Sequence, residues 1–293
     1  MISVTPRKKL VVSPHTQKAM NNILRTVVVL LSACAVECRA DGAESERQAL
    51  VALEASAPAI ERDESRPGKP VIAVRFRPNA GRVTDDDLVH LKAFPDLRSV
   101  ELPNKSRITD LGLSHLRGLT RLEELNLNST KVSPAAVVEF VKGRTNLQRL
   151  ELAGVPVQDD DLAALKDLTA LRALSLRESL ITDRGLAHLK RFTKLRVLSL
   201  MSTSIGDAGL EHLKALPELE DLDLDATLIT DAGLKHLKAL RQLRRLQVAY
   251  TAVTDAGLQH LETLSNLEGL NTRRTKVTPE ALARLKQRLP GLK

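Results

Sequence analysis

The sequence predicts an α/β fold: a right-handed solenoid of stacked coils, with a parallel sheet on its concave face and short helices on its convex face. Two observations carry this. The pattern L-x-x-L-x-L begins at Val71, Leu97, Leu122, Leu147, Leu171, Leu195, Leu219, Leu243 and Leu267, at steps of 26, 25, 25 and then 24 five times. Most copies then run through a Thr or Ser turn into a helix-start signal such as Thr230-Asp231. A strand–helix unit this short cannot bury its own apolar face, so in-phase copies stack and share one core.

The chain has 293 residues, 44 basic and 36 acidic, a net charge of +8. Much of that charge sits at the start. Residues 1–33 hold Arg7, Lys8, Lys9, Lys18 and Arg25 and no acid, and the apolar run Val27–Leu31 follows. A basic stretch, a short apolar run and small residues predict a secretory signal, with Met20 as an alternative start. Leu31-Ser32-Ala33-Cys34 resembles the bacterial lipobox, which implies that Cys34 becomes the lipidated first residue of the mature protein. Ordinary cleavage after Ala35 or Ala40 is the alternative. Without residues 1–33 the balance is 39 basic to 36 acidic residues, which argues against a nucleic-acid footprint. One Tyr, four Phe and no Trp exclude a stacking platform for single strands. Two cysteines, Cys34 and Cys38, exclude a disulfide-built scaffold and fall short of a zinc site. No apolar run reaches the roughly 18 residues a membrane span needs.

The expected organisation is a signal over 1–33, a tether over 34–43, an N-terminal cap of helix and hairpin over 44–70, and nine repeats over 71–293. In the cap, Ser45–Ala57 has helical spacing and Ala59-Ile60-Glu61-Arg62 reads as a strand. Ser65 to Pro70 is a Pro/Gly turn into the strand at Val71.

Repeat seven shows the parts. Leu219, Leu222 and Leu224 point inward from one short strand. Thr227 ends the strand, in a column with Thr130, Ser179, Thr203, Thr251 and Thr275 that Val155 interrupts. Its hydroxyl can satisfy turn backbone groups inside the coil. Ile229 packs the turn. Thr230 is an N-cap and Asp231 follows where the helix dipole favours an acid. Ser133-Pro134 and Thr278-Pro279 write the same start with Pro at the first helical position. Gly233 recurs as Gly112, Gly185, Gly209 and Gly257, which predicts close packing between coils.

These residues strongly resemble the leucine-rich-repeat family over 71–293. The T-D-A-G-L half resembles its cysteine-containing subtype, found in F-box adaptors and exported bacterial proteins, with Thr or Ser here in place of Cys. The resemblance implies a binding scaffold rather than a particular partner.

Several residues imitate chemistry. His90, His115, His188, His212, His236 and His260 hold one repeat position, which Phe140 and Ala164 fill elsewhere. Successive helices lie roughly 8–10 Å apart, whereas a shared metal needs each nitrogen within about 2.1 Å, so the column reads as packing. Asp85-Asp86-Asp87 and Asp159-Asp160-Asp161 lack calcium-loop spacing and sit at helix starts. No H-E-x-x-H, G-x-S-x-G, P-loop or G-x-G-x-x-G occurs. A non-enzymatic module without metal or cofactor is the expectation.

Function is expected on the concave face. From Arg196 onward, Arg196, Glu220, Arg244 and Glu268 alternate in sign at one strand position and predict a ladder of exposed ion pairs. Repeat seven adds Asp221, Asp223 and Asp225. The period sets Arg245 against Asp221, Asp223 between Ser199 and Gln247, and Asp225 between Met201 and Ala249. Tyr250, Arg273 and Arg274 are near. An acidic centre projecting into solvent, with one aromatic and a basic edge, is the candidate site for a protein or peptide. The reading is a monomeric envelope lipoprotein that meets the membrane only through its N-terminal lipid. The alternatives are an intracellular F-box-like adaptor, for which 39–70 is too short, and a purely structural envelope protein.

Overall fold

The computed structural model describes residues 42–77, 83–103 and 106–293. The predicted signal, Cys34, Cys38 and nearly all of the tether lie outside the described residues. The chain divides into two compact units, Met1–Leu50 and Val51–Lys293. The first is described only in helix α1 (42–53), whose last three residues belong to the second. The helix starts earlier than Ser45 and gives way to a 3-10 turn at Glu54–Ser56, closed by Ala57 in the left-handed region at φ 41°.

In the second unit, β1 (Ala59–Arg62) pairs antiparallel with β2 (Val71–Arg75). The predicted turn joins them: the Asp63 N–H donates to Pro70 O over 2.9 Å, and Gly68 supplies φ 79°. From β2 every strand is parallel to the next. The strands β3 (Ser99–Glu101), β4 (Glu124–Asn126), β5 (Arg149–Glu151), β6 (Ala173–Ser175), β7 (Val197–Ser199), β8 (Asp221–Asp223), β9 (Arg245–Gln247) and β10 (Gly269–Asn271) follow chain order across one open, uncurled sheet.

Each strand from β2 on leads to a short helix: α2 (Asp85–Val89), α3 (Asp110–His115), α4 (Pro134–Val141), α5 (Asp159–Ala164), α6 (Asp183–Leu186), α7 (Asp207–Leu210), α8 (Asp231–Leu234), α9 (Asp255–Leu258) and α10 (Pro279–Arg288). The single turns α6 to α9 tighten into 3-10 turns, such as Lys235–Ala239 after α8. Only α4 and α10, which start with Pro, run on as eight- and ten-residue α-helices. Leu219, Leu222, Leu224, Ile229, Leu234 and Leu237 are fully buried, so one coil sends both its strand and its helix leucines into the shared core.

Two polar devices recur along the stack, one within each turn and one between coils. The Thr227 hydroxyl donates to Leu224 O over 2.7 Å, and Thr203, Thr251 and Ser179 repeat that bond to Leu200, Val248 and Leu176. At Val155 the backbone N–H alone holds Leu152 O, over 3.0 Å. The second device is the helix-start aspartate. Asp207 accepts both the N–H and the hydroxyl of Thr230 one coil on, each over 2.7 Å. This goes beyond the dipole role expected of that residue. It also explains the glycine that follows: a Cβ on Gly209 would lie 2.5 Å from Asp183 Oδ1.

The hydroxyl column makes a direct prediction. Thr227→Val takes the hydroxyl donor away from the Leu224 carbonyl, at about 1–3 kcal/mol. Circular dichroism melts of Thr227→Val and Thr203→Val should both show lowered midpoints. Unchanged midpoints would mean that these bonds contribute nothing.

Candidate functional site on the sheet face

The register around β8 is the one the period implies. Asp221 lies beside Val197 and Arg245, and Asp223 beside Ser199 and Gln247. Alternation along the strand puts Asp221 and Asp223 on the open sheet face while Leu222 enters the core. Arg245 meets Asp221 over 2.8 Å. The charge ladder forms in part, as Arg196–Glu220 at 3.3 Å and Arg244–Glu268 at 2.6 Å.

Asp223 and Asp225 do not project into solvent as expected. Each is only 9 % exposed. They lie down on the sheet because backbone donors need them. Asp223 accepts from the Ser199 hydroxyl over 2.8 Å and from the Asp225 N–H over 3.1 Å. Asp225 accepts the Ala249 N–H of the next coil over 2.6 Å. Repeat three does the same work with neutral amides. Asn126 accepts the Asn128 N–H over 2.9 Å, and Asn128 accepts the Ala153 N–H over 2.7 Å. The charges on Asp223 and Asp225 are therefore not needed for the strand ends to be satisfied.

The charge on Asp225 has a cost. Burial pushes its carboxyl above the ordinary carboxylate value; the Ala249 bond opposes this, Asp223 adds to it and Arg177 opposes it. Among the described residues its second oxygen has only Asn271 Nδ2, at 3.4 Å, and across Met201 the Arg177 Nε is buried without an acceptor. A desolvated carboxylate with spare acceptor capacity can take a donor from outside.

The strand ends place the rest. Tyr250 sits at φ 57°, in a left-handed column with Ser129, Glu178, Ser202, Ala226 and Arg274. Its N–H donates to Arg273 O over 2.9 Å, and Ser129, Glu178, Ser202 and Ala226 are held by the next coil in the same way. That turn sets the phenol out at 54 % exposure. Arg273 and Arg274 are exposed one coil further on. Two residues beyond the left-handed position, Leu180 and Leu228 are 58 % and 67 % exposed. Sequence reasoning missed them, although Lys131, Pro156, Ser204, Ala252 and Lys276 hold the equivalent place. Among the described residues, no group of three or more His, Cys, Asp or Glu could hold a metal ion.

Comparison with known proteins agrees on the architecture. A leucine-rich-repeat family model matches residues 193–214. A solved leucine-rich-repeat protein of Leptospira interrogans is similar at a TM-score of 0.50 and 20 % identity, over 70 % of this chain and 56 % of that one. The chain thus spans little more than half of that protein. Internalin C2 of Listeria monocytogenes is similar at 0.44 and 21 % identity over 73 % and 77 %, and internalin inlF of the same organism at 0.42 and 18 % over 78 % and 90 %. No curated protein matches the chain. The fold is that of the leucine-rich-repeat proteins.

The buried charge makes a stability prediction. A carboxyl whose folded value is raised stabilises the fold below the ordinary value of 3.8, and that contribution is lost as pH rises through the folded value. At pH 7 the charge on Asp225 is therefore destabilising. Asp225→Asn keeps the Ala249 bond and removes the charge. Its melting midpoint should exceed the wild type's at pH 7, and the gap should close near pH 3. A variant less stable than wild type at pH 7 would show that the carboxylate is needed by the fold.

Proposed function

We propose that this chain is an exported, non-enzymatic binding module, tethered through a lipid on Cys34, that holds a protein or peptide across the sheet face at β8 to β10. Residues 1–33 serve as the export signal and residues 34–43 as the tether. One observation carries the binding site: Asp223 and Asp225 keep a buried charge where repeat three uses Asn for the same bonds. Exposed Tyr250 and Leu228 lie on the adjoining lip and give a partner an apolar anchor. Asp221 is already occupied by Arg245, so the available acid is Asp225, supported by Asp223. The partner therefore presents a Lys or Arg next to an apolar side chain. Arg245, Arg273 and Arg274 form a basic edge that orients it.

Surface plasmon resonance with a partner captured from envelope extracts tests the site. Asp223→Asn with Asp225→Asn should weaken binding and flatten its salt dependence without loss of fold. Tyr250→Ala should act mainly through the off-rate, as for a desolvated anchor. Lys235→Ala, on the helix side of the same repeat, should change nothing. Equal effects from both faces would move the site elsewhere.

The tether has its own test. One acyl chain holds a protein only marginally, so a stable lipoprotein carries several. In cell fractionation with lipid labelling, the wild type should sit with membranes and Cys34→Ala should be released. A soluble wild type starting at residue 36 or 41 would refute the lipid anchor.

A further inference from the structure

The helix side carries a charge pattern that the sheet-face site does not use. At or near the end of its helical segment, each of seven consecutive coils buries an aliphatic residue: Leu91, Leu116, Val141, Leu165, Leu189, Leu213 and Leu237 are 0–2 % exposed. The residue after it is turned away from the core. In all seven of these consecutive coils that residue is a cation, Lys92, Arg117, Lys142, Lys166, Lys190, Lys214 and Lys238, and every one is exposed. The series ends at Glu262 in the following coil. The cation persists where the neighbouring positions change, as at Val141 and at Phe140 or Ala164 in place of histidine.

Most of these charges are free. Lys142 and Lys214 reach the glutamates three residues earlier, Glu139 at 2.6 Å and Glu211 at 2.8 Å, and remain 63 % and 59 % exposed. Lys92, Arg117, Lys166, Lys190 and Lys238 form no ion pair among the described residues. The next position is small in five of the seven coils, Ala93, Gly118, Gly143, Ala215 and Ala239, and is Asp167 or Arg191 in the other two.

The row is also in line. The strands pair one coil to the next in constant register, and the 3-10 turns that carry Lys166, Lys190, Lys214 and Lys238 stack on one another. A folded acidic partner would need carboxylates at the same interval over seven coils. A fluid bilayer needs no such match, because anionic headgroups move laterally to each cation. We propose that this row is a membrane-facing ridge that lays the helix side of the protein on an anionic lipid surface. The ridge acts independently of lipidation at Cys34 and leaves the sheet face open.

The test uses the full chain carrying Cys34→Ala, so that no lipid anchor contributes, with phosphatidylcholine vesicles containing none or about 30 mol % phosphatidylglycerol. Sedimentation should show binding to the anionic vesicles only, and added salt should remove it. Replacing Lys166, Lys190, Lys214 and Lys238 together by Gln should lower that partition at least about tenfold. Replacing Arg149, Arg196, Arg244 and Arg245 by Gln removes the same charge from the sheet face and should leave it near wild type. Both variants carry residues 1–33, so the basic leader cancels in the comparison, and their melts check the fold. Equal losses from the two variants, equal binding to uncharged vesicles, or retention on a polyglutamate peptide with no vesicle binding would each overturn the proposal.

Discussion

In coil after coil, the first carboxylate of one helix holds the start of the next. Asp207 takes the N–H and hydroxyl of Thr230, Asp231 those of Thr254, and Asp255 those of Thr278. Groups at a helix start have no intrahelical partner, so the neighbouring coil supplies one. Burial works to raise the Asp159 carboxyl, but its bonds from Thr182 and Gly185 hold it below the ordinary value of 3.8. At Asp255 the bonds from Thr278 lead and hold the carboxyl low in the same way. The space this carboxylate takes then decides another residue. Gly112, Gly185, Gly209, Gly233 and Gly257 each face the aspartate one coil back.

The exceptions obey the same constraint. Pro134 stands where the aspartate would be, so Gln158 in the next coil receives nothing from it. Asp161 accepts the Gln158 N–H instead, over 2.8 Å, from the position glycine holds elsewhere. Asp87 does the same for Thr84, over 2.8 Å. In the two helices that begin with Pro, the cap residues Ser133 and Thr278 sit at φ −76° and −84° rather than near the −126° of Thr230. There the third position is Ala136 or Ala281, each donating its N–H to the cap hydroxyl over 3.2 Å. A residue in one coil is thus chosen by its counterpart one coil earlier. This coupling is what turns separately weak units into one stack.

Much of this was legible in the sequence. The fixed period placed Asp223 beside Ser199 and Gln247, located the hydroxyl column and exposed its break at Val155. The recurring glycine announced close packing, though not the carboxylate that causes it. The burial of Asp223 and Asp225 was hidden, because it follows from N–H groups on their own and the next strand end. The left-handed column was hidden for a different reason. Of the seven positions from Ser129 to Arg274, only Gly154 carries the residue that would signal it. Leu180 and Leu228 were visible as apolar residues at a polar position, but only once the turn geometry shows which way that position faces.

Bonds between coils consume the helix-start acids, so those acids are not available as ligands. The central claim is that the aspartate of one coil dictates the glycine of the next. A double-mutant cycle on Asp159 and Gly185 tests it directly, since a Cβ at Gly185 would lie 2.5 Å from Asp159 Oδ1, nearer than the end of the Leu162 side chain at 3.2 Å. Gly185→Ala should destabilise the wild type, and its cost should fall by more than about 0.5 kcal/mol in the Asp159→Ala background. Additive effects of the two substitutions would contradict the account.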